Sequence, residues 1–284
     1  MIKIENELTR LLGIKYPIIQ GAMGLPNTGT SRIAVPVSEA GGLGMLTTVA
    51  YKNPEAFHED LRRAKDLTDK PIAVNFTLFK ERGFWYEFHE AYVKIALDEG
   101  VRIAFTSAYD GSPIGKIFKK SGGVWIHKCA SIRHAVSISP KGPDAVVIVG
   151  IEGSGFKSPE QNSTLINMTA GRRLINIPLI AAGGIADGYG LVGALAMGAS
   201  GIYIGTGFMA TKEFPISDKY KQRIINQKIT DGVYAQKIYR LKHGAMHSLS
   251  AGVIDSIPTV KEYIERIMAE AEEVITKFKS WNIL

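Results

Sequence analysis

The chain has 284 residues, a formal net charge of +7 at pH 7, 45% hydrophobic and 21% charged residues, 30 glycines and one cysteine. A single cysteine excludes an internal disulfide and a cysteine-rich metal site, and the apolar runs fall short of the roughly 18 residues a membrane helix needs. The basic residues are scattered rather than striped, which argues against a nucleic-acid partner, and the opening residues lack the layout of an export signal, so a soluble cytoplasmic protein is expected.

In chain order, short apolar strands alternate with helix-length segments. Pro17 to Gln20 reads as a strand ending in Gly21-Ala-Met-Gly24, followed by a helix over 33–40 and a strand over 42–47. Helical spacing over 54–67, with Pro54 at its start, leads to a strand over 71–76. A helix over 86–99 precedes a strand over 101–105, and a short helix over 114–120 precedes a strand over 124–127. Residues 131–137 form the next helix, 145–149 the next strand, and 162–174 the next helix. The two remaining strands, Leu179 to Ala182 and Gly201 to Ile204, run into the glycine turns Gly183-Gly184 and Gly205-Thr-Gly207, with a helix over 188–199 between them. Eight strands, each followed by a crossover, predict an α/β fold, a (β/α)₈ TIM barrel over residues 1–213 with its site at the C-terminal strand ends. An open doubly wound sheet is the alternative. Residues 214–284 read as a C-terminal helical segment, with helices over 214–227 and 259–279, packed on the barrel or on a partner subunit.

The strand ends carry the candidate chemistry. Glycine loops after strands seven and eight, at Gly183, Gly184, Gly205 and Thr206, bring bare backbone toward an anion such as a phosphate. The backbone of Gly21, Ala22 and Met23 allows close approach at strand one. Asn75 ends strand three, Lys128 ends strand five, and Glu152-Gly-Ser-Gly-Phe156 follows strand six. A planar ring with an amide edge needs donors and acceptors along that edge and a cation near the carbonyl that becomes negative on reduction; Asn75 and Lys128 are those residue types. The set suggests a flavin mononucleotide (FMN) barrel, with a sugar-phosphate enzyme as the non-flavin alternative.

The motifs Tyr16-Pro-Ile-Ile-Gln-Gly-Ala-Met23, Ala73-Val-Asn75, Ile126-His-Lys-Cys129, Arg133-His-Ala135, Asp144-Ala-Val146, Ala181-Ala-Gly-Gly-Ile-Ala-Asp-Gly188 and Gly205-Thr-Gly-Phe-Met-Ala-Thr-Lys-Glu213 carry a family resemblance. The chain resembles the nitronate monooxygenases, formerly 2-nitropropane dioxygenases, and the related flavin-dependent enoyl-acyl-carrier-protein reductases. The resemblance implies FMN bound by Ala22, Met23, Asn75, Lys128 and the loops at Gly183, Gly184, Gly205 and Thr206; Ser154 joins this cofactor set. It implies an alkyl nitronate oxidised with O2, or alternatively an NAD(P)H-dependent reduction of an enoyl thioester or quinone. An acyl-carrier or coenzyme A thioester is then a candidate partner, and a homo-oligomer is expected. A flavin-binding protein with little turnover is the third reading.

In that family a histidine, its catalytic base, follows the glutamate and small residues after strand six; here Phe156 stands in its place, and phenylalanine cannot transfer a proton. His247, in a segment that returns toward the flavin in the reductase relatives, is the candidate replacement, with surface packing as its alternative. His127 should face away from the ligand that Lys128 faces, because strand side chains alternate, and His134 reads as structural. Cys129 is expected to be a buried packing residue. Tyr109 in the loop after strand four, Glu152 and Phe156 are placed in the substrate pocket. No metal site is evident in the sequence.

Overall fold

A computed structural model describes residues 2–155, 158–231 and 248–281. The chain enters through a short helix, α1 (Glu7–Leu12), capped by Asn6, whose side chain accepts from Thr9 N–H. Eight strands follow: β1 (Ile18–Gln20), β2 (Gly44–Thr47), β3 (Ile72–Leu78), β4 (Ile103–Ala108), β5 (Val124–Cys129), β6 (Ala145–Val149), β7 (Leu179–Ala182) and β8 (Gly201–Ile204). The intervening helices are α2 (Ser31–Glu39), α3 (Pro54–Leu67), α4 (Tyr86–Asp98), α5 (Ser112–Lys120), α6 (Ile132–Ile138), α7 (Thr164–Leu174) and α8 (Gly188–Ala196). After β8 come one short turn, α9 (Thr206–Met209), then α10 (Asp218–Ile225) and the long α11 (Val260–Ser280).

Every strand pairing is parallel, in the order β1, β8, β7, β6, β5, β4, β3, β2. Closure comes where β1 meets the residue before β2: Leu43 N–H donates to Ile18 O and Gln20 N–H to Leu43 O, both at 2.9 Å. The barrel predicted from the alternation is therefore the fold, and the open sheet is not.

Strand alternation sorts the core into layers. Ile19, Met45, Ala73, Phe105, Ile126, Val147, Ile180 and Tyr203 point into the barrel, where Leu8 and Leu12 of α1 plug its N-terminal end. Ile18, Trp125, Cys129, Ile148, Ala181 and Ile202 point outward under the helices. Helix α1 was not anticipated; six residues carry only the Leu8–Leu12 spacing of one turn. Helix α2 lies so close to β2 that a Cβ on Gly44 would stand 1.9 Å from Ala34 O.

The long helix α11 begins with a capping box, Thr259 accepting from Glu262 N–H and Glu262 from Thr259 N–H, and lies against α8 and α2 of the barrel wall. Its Glu270 carboxylate accepts from Gly188 N–H at 2.7 Å, and Tyr263 donates its hydroxyl to Ala186 O at 2.7 Å. Both contacts brace the loop between β7 and α8. Among the described residues no helix is long and apolar enough to cross a membrane.

Candidate active site

The C-terminal strand ends surround a cavity of about 720 Å³. Gly21, Ala22 and Met23 line it from the end of β1, Gly183 and Gly184 from β7, and Gly205 and Thr206 from β8. Lys128, Ser154 and Tyr109 complete the predicted residues that reach its wall. Residues as far apart in sequence as Gly21 and Thr206 meet here because every parallel strand ends on the same rim.

Gly205 shows what the wall leaves open. A Cβ built there would meet only the Met23 methyl, at 3.9 Å, so the space over its Cα belongs to the cavity. Gly183 differs: its φ of +94° and a Cβ position 2.9 Å from Gly153 N admit glycine alone without strain. The rim is thus bare backbone for two reasons, room for a ligand at Gly205 and the turn itself at Gly183.

Lys128 occupies the last inward position of β5 and is half-buried, with no hydrogen bond or ion pair among the described residues. Burial pushes its ammonium below the ordinary lysine value. An unpaired cation facing a concave, glycine-walled space is a site for negative charge.

Asn75 stands one layer lower than its sequence position suggested. Strand β3 runs on to Leu78, two residues beyond the predicted end, so Thr77 takes the rim and Asn75 is fully buried beneath it. Thr77 Oγ1 donates to Asn75 Oδ1 at 2.8 Å, Asn75 Nδ2 to Ser107 Oγ at 3.4 Å, and Ser107 Oγ to Thr77 Oγ1 at 3.3 Å. The amide props up the two hydroxyls that line the cavity. Glu152 also lies off the wall: its carboxylate accepts from Thr164 N–H at 3.0 Å and Thr164 Oγ1 at 3.1 Å, at the start of α7. A carboxylate there complements the helix dipole, and this is where Glu152 is engaged rather than in the substrate space. Tyr109 donates its hydroxyl to Glu81 at 2.6 Å across the mouth. Phe156 and His247 lie outside the described residues.

Sequence reasoning missed Tyr203. Between the outward Ile202 and Ile204 it takes the last inward position of β8, packs on Phe105 with ring centroids 6.1 Å apart, and accepts from Ala22 N–H at 2.5 Å. Burial pushes its phenol well above the usual range, so it stays protonated and positions the β1 turn from below. The signal was available: a hydroxyl-bearing side chain in the inward register just before a glycine turn. Arg82, Phe79 and Phe84 were missed as well. They form the mouth through a tight excursion after β3, closed by Phe79 N–H donating to Phe84 O at 2.7 Å, which strand and helix periodicity do not reveal.

Ala108, at the end of β4, holds a φ of +75° on the cavity wall. A non-glycine residue there stores about 1–2 kcal/mol of backbone strain beside the ligand space.

Comparison with known proteins matches these features to a family. The profile described as nitronate monooxygenase matches residues 5–245. A (3aS,4S,5R,7aS)-5-hydroxy-7a-methyl-1-oxo-octahydro-1H-indene-4-carboxyl-CoA dehydrogenase of Rhodococcus jostii is 30% identical over 249 residues, covering 87% of this chain and 67% of the relative. A probable nitronate monooxygenase of Staphylococcus saprophyticus is 28% identical over 277 residues, covering 84% and 77%. Among solved structures, FabK from Thermotoga maritima superposes with a TM-score of 0.85 at 29% identity, over 98% of this chain and 99% of that one.

Proposed function

This chain belongs to the nitronate monooxygenase family, and from that premise we propose that it is an FMN-dependent oxidoreductase of small organic substrates. The observation that carries the reading is Lys128, an ammonium without a partner among the described residues, facing a cavity whose far wall is glycine backbone. The residues fit the cofactor: the space over Gly205 admits a ligand, and a volume of about 720 Å³ suits a cofactor-sized molecule. FMN, when bound, supplies the two-electron chemistry, taking electrons from a donor and passing them to an acceptor.

The chain's own groups bind and orient. Lys128 stabilises negative charge that develops at the ring, and the turns at Gly183, Gly184, Gly205 and Thr206 receive the phosphate. The backbone of Gly21, Ala22 and Met23, fixed from below by Tyr203, supports the ring. Asn75 acts through Thr77 and Ser107, which present hydroxyls to the same space. Ser154 lines the cavity between β6 and β7.

Two substrate classes are consistent with this arrangement. One is an alkyl nitronate oxidised with O2, the reaction that gives the family its name. The other is the double bond of an enoyl thioester or a quinone, reduced with NAD(P)H, and the mouth favours it. Phe79, Phe84 and Tyr109 form an apolar entrance with Arg82 as its cation, and Met209 and Phe214 continue the apolar lining inside, which accommodates a long acyl chain better than a compact anion. One relative's name, a carboxyl-CoA dehydrogenase, points to a coenzyme A thioester, whereas another is named a probable nitronate monooxygenase.

An anaerobic titration of the purified protein tests the reading. The visible flavin bands are followed as NADH, NADPH and then a nitronate are added. Absence of flavin bands after reconstitution with FMN refutes the cofactor assignment. Bleaching by a nicotinamide supports the reductase, bleaching by the nitronate alone supports the monooxygenase, and flavin that none of them reduces supports a binding protein with little turnover.

A further inference from the structure

The outer face of β5 assembles a second set of donors, on the side of the strand opposite Lys128. Trp125, His127 and Cys129 alternate outward, and the first turn of α6 brings His134 over the same face, its N–H donating to the Ser131 hydroxyl that caps the helix. His127 Nε2 and His134 Nε2 lie 3.2 Å apart, and one ring nitrogen of each lies with Cys129 Sγ in a set whose atoms are all within 4.8 Å of one another. His127 and Cys129 are fully buried, whereas His134 is half-buried, which leaves one side open to water.

One hydrogen bond between neutral imidazoles uses a single proton, and among the described residues the Cys129 thiol has no hydrogen-bond partner. Orientation is also set. Trp125 Nε1–H donates to Thr106 Oγ1 at 2.7 Å, and that oxygen stands 2.7 Å from His127 Nδ1, which turns Nε2 of the ring toward His134. With the Nδ1 proton directed at Thr106 Oγ1, His127 Nε2 is the ligating atom, the arrangement found where an outer hydroxyl or carboxylate fixes a metal-bound histidine.

We propose that His127, Cys129 and His134 form a His₂Cys site for a borderline-soft divalent transition ion such as Zn(II). A tetrahedral Zn(II), with bonds of about 2.0–2.1 Å to nitrogen and about 2.3 Å to sulfur, sets its donors roughly 3.3–3.7 Å apart. The histidine nitrogens already stand at that spacing, and the sulfur closes by about 1 Å at most, within the reach of side-chain torsions. On binding, the S–H bond is replaced by a sulfur–metal bond and the imidazole pair by two nitrogen–metal bonds, each ring keeping its one proton on the nitrogen that does not ligate. The Cys129 proton leaves to solvent, water from the open side fills the fourth position, and no electrons move. Only the strand-to-helix turn joins the two halves of the site, His127 and Cys129 on β5 and His134 on α6.

The test is titration of the chelator-treated, full-length, flavin-containing protein with Co(II), read against the same protein without metal. The expected result is one Co(II) per chain, a near-ultraviolet sulfur-to-cobalt charge-transfer band, red ligand-field bands beyond the flavin absorption, and loss of all of them on adding Zn(II). Cys129 is the chain's single cysteine, so the charge-transfer band reports this site without any variant. His134→Ala, at a half-buried position, is expected to weaken Co(II) binding at least about tenfold. Saturating Co(II) without the charge-transfer band, or unchanged affinity in folded His134→Ala, overturns the proposal.

Discussion

Lys128→Met separates the two consequences of placing an unpaired ammonium in the cavity wall. Methionine keeps the length of the side chain and removes the charge. Without flavin, the wild-type protein bears the cost of holding a half-buried cation that no described residue pairs. Relief of that cost is expected to stabilise the flavin-free variant by roughly 1–3 kcal/mol. With flavin, the same substitution removes a charged hydrogen bond worth about 1.5–3 kcal/mol. At about 1.4 kcal/mol per tenfold, FMN affinity falls about 10- to 150-fold. Urea denaturation of the flavin-free proteins gives the first quantity, and quenching of FMN fluorescence gives the second. The signature is the opposite sign of the two effects. A variant that is less stable without flavin, or that binds FMN as tightly as wild type, refutes the role assigned to Lys128.

Other consequences follow from the same geometry. Tyr203→Phe leaves the part-buried Ala22 N–H without its acceptor and is expected to cost about 1–3 kcal/mol, read as a lower urea midpoint; an unchanged midpoint contradicts the role of Tyr203 as a support. Gly205→Ala adds a methyl to open space, so folding stability should stay within about 0.5 kcal/mol while FMN affinity drops; equal affinity would place the cofactor elsewhere. Gly207→Ala is the contrasting case, because its Cβ would lie 1.9 Å from the Tyr263 hydroxyl, and a large loss of stability is expected. His89 is buried between Thr48 and Thr77, which lowers it from 6.5 to about 4. The neutral ring is favoured in the fold, so its contribution is complete above about pH 6.5 and is lost as pH falls through 4, at most about 3 kcal/mol. His89→Gln should flatten stability between those pH values; a slope equal to wild type assigns the acid limb to other groups.

The sequence by itself determined the layering. Apolar runs too short to be core helices, separated by helix-length amphipathic segments, bury both faces of a strand only in a parallel sheet, and eight of them close a barrel. The glycine turns after β7 and β8 and the inward register of Lys128 were legible for the same reason: a period of two and a glycine stop are local properties of the chain. What local properties do not decide is where a strand ends in three dimensions. Strand β3 continues for two residues because Thr77 and Leu78 still find partners in Ser107 and Ala108 of β4, and that extension moves Asn75 from the rim to the layer below. Glu152, placed in the substrate pocket from sequence, is instead engaged at the start of α7, which supplies two donors for its carboxylate. Tyr203 acquired its task only when closure of the barrel brought β8 beside β1 and the phenol under Ala22 N–H. His127, Cys129 and His134 likewise became one cluster only through the turn into α6. Periodicity fixes which face a side chain takes; the partner waiting on that face is a product of closure and packing across the whole chain.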